Sequence, residues 1–157
     1  MIFHIGRWEL DIDPVLTADC FARYPKDVLC NCEGCRNFRA LGENAFPIPF
    51  RALAAELGID LSKPSELGHY NTGPGSLHDM HGWFHLVGSI RSGHDAKRQV
   101  AENSSWADDE PLLGLPELGF TNRIALLPEA FKGLPIVQLD FRMEVPWVLD
   151  DSGSGAN

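Results

Sequence analysis

Cys30, Cys32 and Cys35 stand in one short run, Cys-Asn-Cys-Glu-Gly-Cys, and make up three of the chain's four cysteines. Thiolates are preferred zinc ligands, and ligands two or three residues apart wrap one ion without the entropy of closing a long loop. The run supplies three arms of a tetrahedron, so a fourth donor must come from elsewhere. Cys20 would complete an all-thiolate set, whereas a histidine from the 69–85 stretch would give three thiolates and one imidazole; the mixed set is the favoured expectation. Cys20, in Thr-Ala-Asp-Cys-Phe-Ala, reads equally as a buried thiol packing like a small hydrophobe. If only three protein ligands bind, water takes the fourth place, and Glu33 is either a nearby base or, as a knuckle glutamate more often is, a solvated turn residue.

The histidine candidates are His78, His81 and His85, in His78-Asp-Met-His81-Gly-Trp-Phe-His85. A helix would put His81 and His85 on one face, as in zinc hydrolases. Those enzymes use His-Glu-x-x-His, however, and Gly82 followed by Trp-Phe-His-Leu-Val favours a strand. In a strand Trp83 and His85 share a face while Phe84 and Leu86 take the other. His85 then either points toward a pocket or is a hydrogen-bonded core histidine.

The cysteines have rival readings. Cys32-Glu-Gly-Cys35 is a Cys-x-x-Cys, and a reversible dithiol near a helix start is physically reasonable. Thioredoxin-like proteins carry that motif directly after a strand in a βαβ unit, a pattern missing here. The longer ligand spacings of ferredoxins are missing as well. Plain reduced cysteines are the third reading.

Composition bounds the class. A chain of 157 residues with 44% hydrophobic content suits one domain with a real core, expected over residues 1–150, with 151–157 as a solvated tail. The formal net charge of -9 argues against nucleic-acid binding, which depends on clustered cations. Arg36, Arg39 and Arg51 near the cysteines read as solvated helix faces rather than as a basic patch. The N-terminal segment does not resemble a secretory signal, and no apolar run approaches the roughly 20 residues of a membrane span. A cytoplasmic location is therefore expected, where clustered cysteines bind metal or do redox chemistry more often than they form disulfides.

The elements that must position these groups follow from patterning. Residues 2–12 partly alternate, as a strand does, and Asp13-Pro14 ends it. Residues 15–29 are mixed, with a turn at Tyr24-Pro25-Lys26-Asp27. Cys35, Phe38 and Leu41 suit a short helix over 36–41 stopped by Gly42, whose N-terminus would lower the thiol pKa values. Pro49 in the first turn, the stripe Phe50, Leu53, Ala54 and Leu57, and Gly58 as cap predict a helix over 49–57. Another short helical turn is expected over 61–67, then a loop at Asn71–Ser76. Strands are expected at 83–90 and 118–127, and a long loop carrying Trp106 at 91–117. Residues 136–149 alternate most clearly: Val137, Leu139, Phe141, Met143, Val145, Trp147 and Leu149 on one face, Gln138, Asp140, Arg142, Glu144 and Pro146 on the other. Pro146 lacks an amide donor, which predicts an edge or bulge near the strand's end and permits a dimer without requiring one.

The segment Cys30-Asn-Cys-Glu-Gly-Cys-Arg-Asn-Phe38, with Leu57-Gly-Ile-Asp60 and Val145-Pro-Trp-Val-Leu149, resembles a group of small bacterial proteins without an assigned activity. The resemblance implies a bacterial single-domain protein and assigns no catalytic residue. The expectation is an α+β domain: an antiparallel sheet with short flanking helices and a cysteine knuckle. Its expected role is that of a zinc-binding module whose partner is a protein or a small molecule. A zinc hydrolase with an open site, or a thiol redox protein using Cys32 and Cys35, is the alternative.

Overall fold

The alternation at 136–149 folds into a strand, Ile136–Pro146, in which Val137, Leu139, Phe141, Met143 and Val145 are all buried. Trp147 and Leu149 follow it, half-buried. The computed structural model describes residues 1–25, 28–75, 77–101, 104–107 and 109–150, with the backbone alone at 98–101 and 104–107. The expected tail at 151–157 and part of the expected turn at 24–27 lie outside the described residues. The strands are β1 (Ile2–Ile5), β2 (Trp8–Ile12), β3 (Glu66–Tyr70), β4 (Leu77–Ser92), β5 (Lys97–Ala101), β6 (Ser104–Ala107), β7 (Glu110–Leu112), β8 (Leu115–Thr121) and β9 (Ile136–Pro146). The helices are α1 (Pro14–Ala22), α2 (Glu33–Leu41) and α3 (Ile48–Leu57), with 3-10 turns at Gly42–Ala45 and Glu129–Phe131. None of the helices is long and apolar enough to cross a membrane.

The expected antiparallel α+β architecture is present. Seven strands form one sheet in the order β1-β2-β4-β9-β8-β7, and β3 adds to β4. β4 organises it: β9 runs along one edge, while β3 pairs with the first half of the other edge and β2 with the second half. Cross-strand partners share a face. His78, Met80, Phe84 and Leu86 therefore lie with Val145, Met143, Leu139 and Val137 on one face; His81, Trp83 and His85 lie with Arg142, Asp140 and Gln138 on the other. The first face carries the main aromatic core. Phe46 packs within 5.3–6.0 Å of Phe38, Phe50, Phe84 and Phe141. Each such ring contributes about 1.5–3 kcal/mol by leaving water.

α3 forms as its stripe predicts: Phe50, Leu53, Ala54 and Leu57 are buried, and Gly58 adopts the left-handed cap. α2 starts earlier than expected, at Glu33, because Cys32 serves as its N-cap. It buries Gly34, Cys35, Asn37 and Phe38 against the sheet.

Several expectations are corrected. Residues 2–12 are a hairpin rather than one strand, turning at Gly6-Arg7. The mixed stretch after residue 14 is α1: Asp13, read as a strand end, accepts a hydrogen bond from the Leu16 amide at 2.9 Å and so caps the helix, with Pro14 in its first turn. Residues 61–67 are not helical, for Pro64 removes a donor and the chain enters β3 at Glu66. Gly68 is a mid-strand residue there, since a Cβ would lie 2.2 Å from the His81 ring. The strand at 83–90 extends to 77–92, taking in His78 and His81. The supposed loop at 91–117 holds β5, β6, β7 and the start of β8, with Trp106 on β6; β5 and β6 form a separate two-stranded sheet that shows no core alternation. The strand expected at 118–127 is Leu115–Thr121. The edge expected near Pro146 is present: β9 lies between β4 and β8 over most of its length, but the last β8 pair is Glu117 with Arg142, and only β4 flanks it at Pro146.

Candidate metal centre

The knuckle is built by the start of α2 and the loop before it. Cys32 has the extended backbone of an N-cap (φ -71°, ψ 167°), and its Sγ accepts from the Cys35 amide at 3.4 Å. Arg39, in the last turn, reaches back and donates through Nη2 to the carbonyls of Leu29 at 2.7 Å and Cys30 at 2.6 Å. This fixes Cys30 beside the helix. The three sulfurs lie within 4.8 Å of one another, and those of Cys30 and Cys35 are 3.6 Å apart. Two thiolates on one tetrahedral zinc, with bonds of about 2.3 Å, are separated by about 3.8 Å. All four cysteines are free thiols. The three cysteines are thus positioned to coordinate a metal ion.

Burial splits the cluster. Cys30 and Cys32 are exposed, while Cys35 is buried. Desolvation, followed by the hydrogen bonds to Cys30 and Cys32, pushes the Cys35 thiol well above its usual range. The Cys32 amide donating to the Cys30 sulfur is the main influence holding that thiol below its usual range. The expected lowering by the helix N-terminus therefore fails at Cys35, where desolvation outweighs the dipole.

A histidine does reach the cluster, and it is His69. Its Nε2 lies 3.3 Å from Cys35 Sγ. On β3 it pairs with Met80, which puts it on the face under α2. Its Nδ1 is 2.7 Å from His78 Nε2, and His78 Nδ1 is 3.2 Å from Asn37 Nδ2. Asn37 is anchored to the chain after β9: Nδ2 donates to the Pro146 carbonyl at 3.1 Å, and Oδ1 accepts from the Val148 amide at 2.8 Å. Gly34 completes the fit, because a Cβ there would stand 2.2 Å from His69 Cγ. Desolvation, then the neighbouring charges of His78 and His81, pushes His69 down to about 4; desolvation also lowers His78.

The other candidates go elsewhere. His78 is not beside the sulfurs and instead holds His69. His81 stacks on Tyr70 at 5.5 Å, on the face of the sheet opposite His78. His85 is fully buried on that same opposite face, bonded to Ser65 Oγ at 2.7 Å and Gln138 Oε1 at 3.1 Å; desolvation pushes it down to about 4. Gln138 donates in turn to Asp140 at 2.8 Å, and Lys97 pairs with Asp140 at 2.8 Å. His85 is thus a hydrogen-bonded core histidine. Cys20 lies fully buried on α1 within the hydrophobic core, its sulfur accepting from Arg23 at 3.4 Å.

Sequence reasoning missed His69 as an individual, along with Asn37 and Gly34. His69 falls between the helical turn expected at 61–67 and the loop expected at 71–76, so no element gave it a face; Gly34 between Glu33 and Cys35 was the available sign that something packs closely there. Beside the knuckle, Leu29, Phe38, Arg39, Arg51, Ile59 and Leu61 help line a cleft of about 560 Å³. No family model, curated protein or solved structure matches this chain, so the geometry of the centre carries the functional reading.

Proposed function

We propose that this protein is a zinc-binding module in which Cys30, Cys32 and Cys35 hold the ion and the ion organises residues 28–41 as a surface for binding. The observation that carries the reading is the convergence of the three sulfurs, with 3.6 Å between Cys30 and Cys35. Three thiolates at this spacing form a soft donor set suited to zinc. Without the ion, the segment carrying Cys30 and Cys32 is held to α2 by Arg39 and by the Cys32 cap. With it, three bonds of about 2.3 Å tie loop and helix together.

The redox alternative is less well supported. A reversible dithiol needs two sulfurs, whereas here the sulfur of Cys30 converges with those of Cys32 and Cys35. The hydrolase alternative, drawing on His78, His81 and His85, is weakened because two of these lie on the opposite face and the third supports His69.

Elemental mass spectrometry of untagged protein, with a thiol count before and after chelation, tests the proposal. About one zinc per chain is expected, with three thiols becoming reactive only after chelation. A metal-free protein with freely reactive Cys30 and Cys32 would overturn it.

A further inference from the structure

We propose that His69 is not the fourth ligand: it donates a hydrogen bond to Cys35, and the metal's fourth position stays open for an exogenous neutral donor. This deepens the zinc reading and rests on it.

Hydrogen-bond polarity carries the inference. Asn37 is held between two backbone groups whose roles cannot be exchanged: the Val148 amide only donates, and the Pro146 carbonyl only accepts. The amide is thereby oriented with its NH₂ toward His78. His78 Nδ1 must accept from it, so in a neutral ring His78 Nε2 carries the proton and donates to His69 Nδ1 at 2.7 Å. His69 Nδ1 is then the acceptor, and its Nε2 carries a hydrogen directed at Cys35 Sγ, 3.3 Å away. A nitrogen that bears a hydrogen has no lone pair for a metal. To ligate, His69 would have to reverse the chain, setting His78 Nδ1–H against the Asn37 NH₂ or turning Asn37 against both of its backbone partners.

Distance agrees with polarity. A nitrogen completing a tetrahedral zinc site stands about 3.6 Å from every sulfur, given bonds of about 2.3 and 2.0–2.1 Å. His69 Nε2 approaches Cys35, yet it does not lie within 4.8 Å of all three sulfurs. Its hydrogen bond compensates charge on the one buried thiolate, as groups around a metal's ligands commonly do.

Cys30 and Cys32 are exposed, so the position left over is open to solvent. Three thiolates on a dication carry one net negative charge, which favours a neutral donor over an anion. With a metal bound, water would fill that position at rest, and an imidazole-type nitrogen would displace it.

Two measurements on the intact protein test this. In the zinc-loaded protein, long-range proton–nitrogen NMR should show His69 protonated at Nε2 and bare at Nδ1. In the cobalt-loaded protein, millimolar imidazole should shift the visible spectrum saturably. A His69 protonated at Nδ1, or a spectrum indifferent to imidazole, overturns the proposal while the zinc reading stands. Failure of the wild-type protein to bind zinc or cobalt overturns both.

Discussion

Gly34→Ala probes the contact between α2 and His69 most directly. The added Cβ would stand 2.2 Å from His69 Cγ, 2.5 Å from Nδ1 and 2.6 Å from Cδ2. Ordinary carbon contact is about 3.5–4.0 Å, so helix and ring must separate by more than about 1 Å. The ring has little freedom to yield, being held by His78 at 2.7 Å and Cys35 at 3.3 Å. Overpacking of this kind costs about 1–3 kcal/mol, and a broken hydrogen bond adds about 1 kcal/mol. Against this, alanine is favoured over glycine inside a helix by about 0.5–1 kcal/mol. The steric cost wins, and the expected net destabilisation is about 1–3 kcal/mol. At this chain length that lowers the melting temperature by roughly 2–12 °C. Urea melts of metal-free wild type and G34A, with equal slopes, measure it. A variant as stable as wild type, or more so, would show that helix propensity dominates and that His69 is not clamped beneath Gly34.

Two other perturbations have defined outcomes. Cys32→Ser removes one thiolate while keeping a side chain able to accept at the N-cap; metal-dependent protection of the amides at 33–38 in hydrogen exchange should be lost, and equal protection in wild type and variant would defeat the organising role of the ion. For His85, the folded pKa of about 4 lies below the ordinary 6.5, so the unfolded chain takes up the proton first as pH falls. Its contribution is complete above pH 6.5 and is lost between 6.5 and 4, amounting to about 3 kcal/mol. His85→Gln should flatten the fall in stability over that window relative to wild type; parallel curves would refute the assignment.

Local chemistry explains why part of this was legible from sequence. Phe50, Leu53, Ala54 and Leu57 specify the face of α3 by helical spacing alone, and β9 shows its buried face because every second residue is apolar. α1 was written equally locally, in Asp13-Pro14, but the pair is ambiguous between ending a strand and capping a helix. β5 and β6 pair outside the main sheet and lack the alternation that reveals a core strand.

The candidate centre divides the same way. Cys30, Cys32 and Cys35 are so close in sequence that a single turn and one helix cap can bring their sulfurs together, and the sequence by itself determined that cluster. Tertiary structure alone decided which histidine joins it. His69 is 34 residues from Cys35 and arrives through the pairing of β3 with β4. Strand side chains alternate with a period of two, so a slip of one residue in that register would send His69 to the face that holds His81, away from α2. Asn37 depends likewise on where β9 ends, and its two backbone partners set the direction of every hydrogen bond from Pro146 to Cys35. Pairing registers and chain ends are set by the summed packing of the whole sheet, which no local run of residues encodes.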